Sequence, residues 1–193
     1  MQVRELATGL WYWTGRHPAW TPADGLDTRP DGWDQEVGCY FYDGPDAICL
    51  FDPLIPMEDR DRFLDALDRD VERAAKPVRA LLTVADHRRS SAELAERYDG
   101  TVGEVPAGVE VVLDRWGERV YWIPEHAALV FGDVVLGRGG GLRLPRAWIG
   151  EQHYDEVVQG LRPLLELPVE RALVTHGEPV LAGGRAALAA AVR

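Results

Sequence analysis

No run of about 18 apolar residues occurs in this chain, so no segment suits a helix that crosses a bilayer. Basic residues are also in short supply. The 21 Lys and Arg face 32 Asp and Glu, a formal net charge of -11 at pH 7. Broad binding to a phosphate backbone needs clustered cations, so nucleic acid is not an expected partner. Only two cysteines are present, Cys39 and Cys49. They flank the turn Asp43-Gly44-Pro45-Asp46, which would bring them near each other in a hairpin, and they are expected as buried free thiols of a reducing compartment. As zinc ligands they would leave two positions unfilled. The opening Met-Gln-Val-Arg-Glu-Leu lacks the basic-then-apolar pattern of a secretory signal, so a cytoplasmic location is expected. There is no short-period repeat and no low-complexity linker.

What remains is the composition of a soluble globular protein: 193 residues, 46% hydrophobic and 27% charged. That length suits one domain over residues 1–193 with a substantial core. Residues 1–52 read as short strands at Val3 to Ala7, Leu10 to Thr14, Val37 to Tyr42 and Ala47 to Phe51, rich in aromatic and β-branched residues and separated by Gly, Pro and Asp. Between Thr14 and Trp33 lies a long loop carrying His17, Trp20 and Trp33, of a kind often kept for function. From Pro56 to Lys76, the spacing of Phe63, Leu64, Leu67, Val71 and Ala74 predicts an amphipathic helix.

A buried strand follows from Val78 to Thr83, then a helix from Ser90 to Tyr98, several strands between Thr101 and Phe131, and a helix from Tyr154 to Leu167. A strand from Ala172 to Thr175 and an alanine-rich helix from Gly184 to Arg193 complete the chain. Each half is sheet followed by helix. This duplication predicts an α+β fold in which two mainly antiparallel sheets pack face to face with helices outside, an αββα sandwich.

The chemistry concentrates where the strand ending at Thr83 meets the next helix, in Asp86-His87-Arg88-Arg89-Ser90-Ser91. Three further segments accompany it in order: Cys49-Leu50-Phe51-Asp52-Pro53-Leu54, Gly132-Asp133 after the apolar run Ala128 to Phe131, and Val174-Thr175-His176-Gly177. Together these resemble the metallo-β-lactamase fold superfamily over nearly the whole chain. The resemblance matches Asp52 to the aspartate before the first helix, residues 81–94 to the THxHxDH ligand loop, Gly132-Asp133 to the metal-bridging GD element, and His176-Gly177 to the final His-Gly element. It implies hydrolysis through water activated by one or two metal ions.

The ligand loop departs from the family pattern, and its register is open. Anchored on the helix, Asp86 and His87 match the DH pair while the HxH pair is missing. Anchored on Thr83, the first histidine becomes Val84, the second Asp86, and the DH pair Arg88-Arg89. In either register Asp114 stands where a further histidine is expected. With the helix as anchor, the resemblance leaves Asp86, His87, Asp133 and His176 as ligands of one divalent metal, zinc first and then iron or manganese, with Asp86 and His87 as the catalytic pair. The opposing expectation is a metal-free cleft in which Arg88 or Arg89 pairs with Asp133 or Asp86.

Other histidines carry blander expectations: His126 faces solvent in a turn, His153 sits in a solvated first helical turn, and His17 has a local structural role. Gly137-Arg138-Gly139-Gly140-Gly141 lacks the Lys-Ser/Thr ending of a phosphate loop and reads as a flexible loop beside the pocket. The tryptophans are expected mainly in the core or packed under loops. Two functions follow. In the first, the protein is a degenerate member of the fold without catalysis, whose cleft binds a small molecule or a partner. In the second, it is a single-metal hydrolase of a small ester, thioester or amide. A homo-oligomer is compatible with either.

Overall fold

The computed structural model describes residues 2–29 and 31–193. The first sheet has six strands: β1 (Val3–Ala7), β2 (Leu10–Arg16), β3 (Glu36–Asp43), β4 (Ile48–Phe51), β5 (Val78–Leu81) and β6 (Thr101–Val102), adjacent in that order. The pairings from β1 through β4 are antiparallel, and those of β4 with β5 and β5 with β6 are parallel. The second sheet contains β7 (Glu110–Arg115), β8 (Glu118–Ile123), β9 (Ala128–Phe131) and, after a separate hairpin of β10 (Leu136–Arg138) with β11 (Gly141–Arg143), β12 (Arg171–Val174). Its order is β12-β9-β8-β7, with β12 parallel to β9.

Side-chain alternation along the strands builds the layers, because successive residues face opposite sides of a sheet. Leu10, Tyr12, Tyr40, Tyr42, Cys49 and Phe51 meet Tyr121, Ile123, Val130 and Leu173 between the sheets. Their neighbours Trp13, Cys39, Phe41 and Leu50 face outward, under Phe63, Leu64 and Leu67 of α1 (Arg60–Ala74) and Leu94 of α2 (Ser91–Arg97). On the far side, Val120, Trp122, Leu129 and Phe131 pack beneath α4 (Glu151–Leu161), which follows the single turn α3 (Arg146–Ile149), and α5 (Gly184–Ala191). The expected αββα sandwich is thus present, and among the described residues no helix is long and apolar enough to cross a membrane.

Several local expectations change. Cys39 and Cys49 are both buried and free, but they lie on opposite faces of the first sheet because their strand positions differ in parity. The helix expected to Leu167 ends at Leu161 and tightens into a 3-10 segment over Arg162–Glu166, since Pro163 cannot donate to a continuing α-helix. Gly137 to Gly141 is not a loose loop. It closes the β10–β11 hairpin through Gly139 and Gly140, both at positive φ, as a tight two-residue turn requires. His126 is buried, its ring edge-on to Tyr42 at 5.3 Å, because its 3-10 turn folds back against the first sheet instead of projecting into solvent.

The parallel pairs place four strand ends together: β4 and β5 in one sheet, β9 and β12 in the other. One tyrosine ties the two sheets beside these ends. The fully buried Tyr40 hydroxyl donates to the Val174 carbonyl at 2.7 Å and accepts from the Val174 amide at 2.9 Å. The Gly38 amide also donates to the Thr175 carbonyl at 2.7 Å. Removing one hydroxyl would leave both polar groups of Val174 without that partner inside the core, where an unsatisfied group costs about 1–3 kcal/mol. Tyr40→Phe is therefore expected to lower the unfolding free energy by about 1–3 kcal/mol. A urea denaturation midpoint unchanged from wild type would refute this role.

Candidate metal centre

Asp52 sits just beyond β4 at φ 45° and is buried. Its Oδ1 accepts the Thr83 amide at 2.8 Å, and its Oδ2 accepts the Thr175 hydroxyl at 3.0 Å and also the Thr83 hydroxyl. The same Oδ2 stands 3.0 Å from His87 Nδ1. Burial alone would raise the Asp52 pKa. The bond and charge of His87, the Arg89 guanidinium and Thr83 outweigh it and hold the carboxyl below its ordinary value. An ionised Asp52 makes Nδ1 the protonated nitrogen of His87 and turns Nε2 toward the cleft.

After β5 the chain makes a 3-10 turn over Ala85–Arg88, and Arg89 at φ 37° separates it from α2. Successive side chains of a 3-10 turn point about 120° apart, so only one of them faces inward. That residue is His87, which is buried, whereas Asp86 and Arg88 are exposed. Gly132 lies against Thr83, where a Cβ would approach the Thr83 Oγ1 to 2.5 Å, so only glycine lets the end of β9 come this close. The following Asp133 reaches the cleft. Gly177, at φ 84°, passes similarly close to Gly137, which holds the preceding His176 at the end of β12.

These three side chains converge. His87 Nε2 and His176 Nε2 each lie 3.3 Å from Asp133 Oδ1. The three ligand atoms all lie within 4.8 Å of one another. Asp133 Oδ1 is a buried acceptor with no well-aligned hydrogen bond, and His176 Nδ1 is also unpartnered. The two separations to Asp133 suit a divalent ion, since a tetrahedron with bonds of about 2.0–2.1 Å has edges of about 3.3–3.4 Å. Asp86 is outside this group, and Asp114 is exposed and paired with Arg119 at 2.8 Å. Of the four ligands expected from the sequence, His87, Asp133 and His176 come together and Asp86 does not.

Neither arginine occupies the space beside Asp133. Among the described residues no ion pair joins Arg88 or Arg89 to Asp133 or Asp86. Arg89 instead turns under the site, its Nη1 donating to the Asp52 carbonyl at 3.0 Å and lying 3.9 Å from Cys39 Sγ. Its charge helps depress the His176 pKa, although burial is the larger cause. Burial also works against a charged His87, but bonding to Asp133 and Asp52 prevails and raises its pKa to about 9. For Asp133 the pairing with both imidazoles likewise overcomes burial, holding the carboxyl far below the carboxylate range. The two histidines diverge although each meets Asp133 at the same distance. Only His87 has a second carboxylate behind it.

Two residues outside the expected ligand set complete the surroundings. Glu118, buried at the start of β8, accepts the amides of Gly132, Asp133 and Val134 at 2.8–3.0 Å and so fixes the Asp133 turn. Burial pushes its pKa up to about 8 despite these three bonds. His17 is half-buried in the 14–33 loop, its ring 5.1 Å from Trp33, which stands edge-on to His176 at 4.9 Å. Trp148 approaches His176 from another side at 5.3 Å. Asp133 and Trp148 also line a cavity of about 530 Å³ whose mouth includes His153, exposed on the first turn of α4.

The sequence matches no protein-family model and no curated protein. Solved structures match along its full length. A metallo-β-lactamase from Erythrobacter litoralis, related to NDM and FIM-1 and in a mono-zinc form, is 14% identical with a TM-score of 0.59, over 99% of this chain and 94% of that one. FIM-1 from Pseudomonas aeruginosa, also mono-zinc, is 12% identical with a TM-score of 0.59, over 99% and 94%. The metal-soaked Flv1 flavodiiron core from Synechocystis is 14% identical with a TM-score of 0.60, over 99% of this chain and 59% of that one. The chain therefore has the metallo-β-lactamase fold, and within it His87, Asp133 and His176 form a triad that resembles part of a metal site.

The His87 environment sets the sign of a pH effect. In metal-free protein its folded pKa of about 9 exceeds the ordinary 6.5, so the stabilisation is fully present below about 6.5 and lost as pH rises through about 9. The urea midpoint of chelator-treated protein should fall across that window, and His87→Gln should flatten the fall. Zinc affinity should move oppositely, rising over the same window because binding there displaces a proton. Isothermal titration in two buffers of different ionisation enthalpy would count that proton; zero protons released at pH 7 would contradict the assignment.

Proposed function

We propose that the protein is a hydrolase of a small ester, thioester or amide that holds one divalent metal ion at His87, Asp133 and His176. The observation that carries this reading is the convergence of the three ligand atoms, with Arg89 directed elsewhere. Three protein donors leave a position for water or substrate, the arrangement found in catalytic zinc sites. Zinc is the first candidate, and two imidazoles with one carboxylate also suit iron or manganese. The mono-zinc forms of two proteins of the same fold agree with a single ion.

When bound, such an ion lowers the pKa of water and polarises a carbonyl group. The protein's own part is positional. Asp52 selects the His87 tautomer, Glu118 holds the backbone of Asp133, and the β10–β11 hairpin receives the His176 segment through the Gly137 amide, 2.9 Å from the His176 carbonyl. Overall, the oxygen of water joins the acyl carbon, and the bond to oxygen, sulfur or nitrogen breaks. Its electron pair goes to the leaving atom, which takes up a proton from water.

The second reading is a silent binding cleft, in which protonated His87 spans Asp52 and Asp133 and supplies the positive charge itself. The raised His87 pKa favours it. Metal analysis separates the two. Untagged protein incubated in turn with zinc, iron and manganese is expected to retain about one ion per chain, and His87→Ala or His176→Ala to retain almost none. Asp52→Ala, which removes the carboxylate behind His87, should weaken metal binding about 10- to 100-fold. Retention below about 0.3 ion per chain by the wild type for all three metals would establish the silent reading instead.

A further inference from the structure

The 530 Å³ cavity beside Asp133 is within the size range that encloses a small-molecule ligand. Its walls come from both sheets and the outer helices: Trp116 from the β7–β8 turn, Val84 from the ligand loop, Val134 beyond Asp133, and Trp148, Ile149 and Val157 from α3 and α4. Trp116 is a built wall. It lies in the left-handed region at φ 57°, its ring is seated against Gly160 where a Cβ would approach it to 2.3 Å, and its Nε1 donates to Glu156 at 3.0 Å. Trp148 serves two sites at once, lining this cavity and standing edge-on to His176.

The lining contains no lysine or arginine. Its carboxyl groups are committed elsewhere, Glu118 to three backbone amides and Asp133 to the two histidines. The lining histidine, His153, is exposed to water, so in the metal-free protein a ligand carboxylate or phosphate would enter beside two acids and lose hydration with little to replace it. An ammonium group would find both acids already occupied. An apolar group, by contrast, gains from leaving water between the two indoles.

We infer that the substrate is an uncharged carbonyl compound whose alkyl or aryl arm fills this cavity while its carbonyl lies at the His87–Asp133–His176 end. The carbonyl placement rests on the metal-dependent reading above; the arm's recognition does not.

The test uses the full chain, chelator-treated and with one equivalent of zinc, titrated by tryptophan fluorescence and calorimetry with straight-chain methyl ketones of increasing length. Alkanoate and alkylammonium ions of equal length serve as comparators. Ketone affinity should rise about fourfold per added methylene until the cavity is full, as expected from about 0.8 kcal/mol per buried CH₂. In the chelator-treated protein, where no metal ion offers a counter-charge, the ions should bind at least about tenfold more weakly than the matching ketone. Trp116→Ala should weaken the long ketones about tenfold or more, by loss of one aromatic wall. Ile149→Lys, at the partly exposed rim, should shift preference toward the alkanoate. A series with no length dependence, or an ion binding as tightly as its ketone to the chelator-treated protein, overturns the inference even if zinc binds stoichiometrically. A steep series in a protein that takes up no metal sustains the arm pocket and removes the hydrolase reading instead.

Discussion

Everything in the cleft depends on one buried carboxylate. Asp52 ends a strand of the first sheet, yet it fastens Thr83 from the adjacent parallel strand and Thr175 from the second sheet, and it orients His87. A charge so deeply buried is costly unless every lone pair is used. Asp52 meets that condition by collecting donors from two segments far from it in sequence, Thr83 to His87 and Thr175. Once those donors are fixed, the strand ends carrying them are fixed as well. The His87, Asp133 and His176 side chains therefore emerge around a common point.

A second carboxylate performs the same task from the other side. Glu118 gathers three successive amides at the turn that presents Asp133, leaving that turn no freedom to collapse onto the cleft. Gly132 supplies the complementary requirement, since any side chain there would strike Thr83. Neither Asp52 nor Glu118 belongs to the triad itself. They act on the backbone and on the ring tautomer, and so hold the arrangement of the three side chains from beneath.

The layers of the fold were legible because they follow local rules. Period-2 alternation in Tyr40-Phe41-Tyr42 and Cys49-Leu50-Phe51, and helical spacing in Phe63, Leu64 and Leu67, are visible residue by residue. The ends of those elements were less legible, as Pro163 shows. In the site, Asp133 and His176 are marked by their glycine neighbours, whereas the choice between Asp86 and His87 depends on a 3-10 turn that the preceding strand and following helix do not announce. Glu118 was harder still. A glutamate next to Trp116-Gly117 reads as a turn residue, and only the tertiary approach of β8 to the end of β9 makes it an acceptor of three amides. His126 illustrates the same limit: a histidine after Pro124-Glu125 is buried because of a tyrosine far away in the chain.

The departure of the ligand loop from the family pattern changes the electrostatics as well as the number of donors. A site with several imidazoles and carboxylates can hold two cations, but here the inward groups are two imidazoles and Asp133, with Arg89 already a buried cation behind them. Burial, with a smaller contribution from Arg89, disfavours a proton on His176 and keeps a neutral ring with an available lone pair, and Arg89 adds positive charge that a second metal ion would have to overcome. His87 faces the opposite bias, held between two carboxylates that favour its charged form. Under the proposed metal-dependent reading the cluster accommodates one positive centre at this point, a proton on His87 or a single metal ion in its place. Proton and metal compete for the same nitrogen, Nε2, while Asp52 keeps Nδ1 engaged under either condition. Under that reading the competition makes the occupancy of the site depend on pH, and the cavity beside it shares the dependence through Asp133 and Glu118, which line it together with the apolar Trp116, Trp148 and Val157.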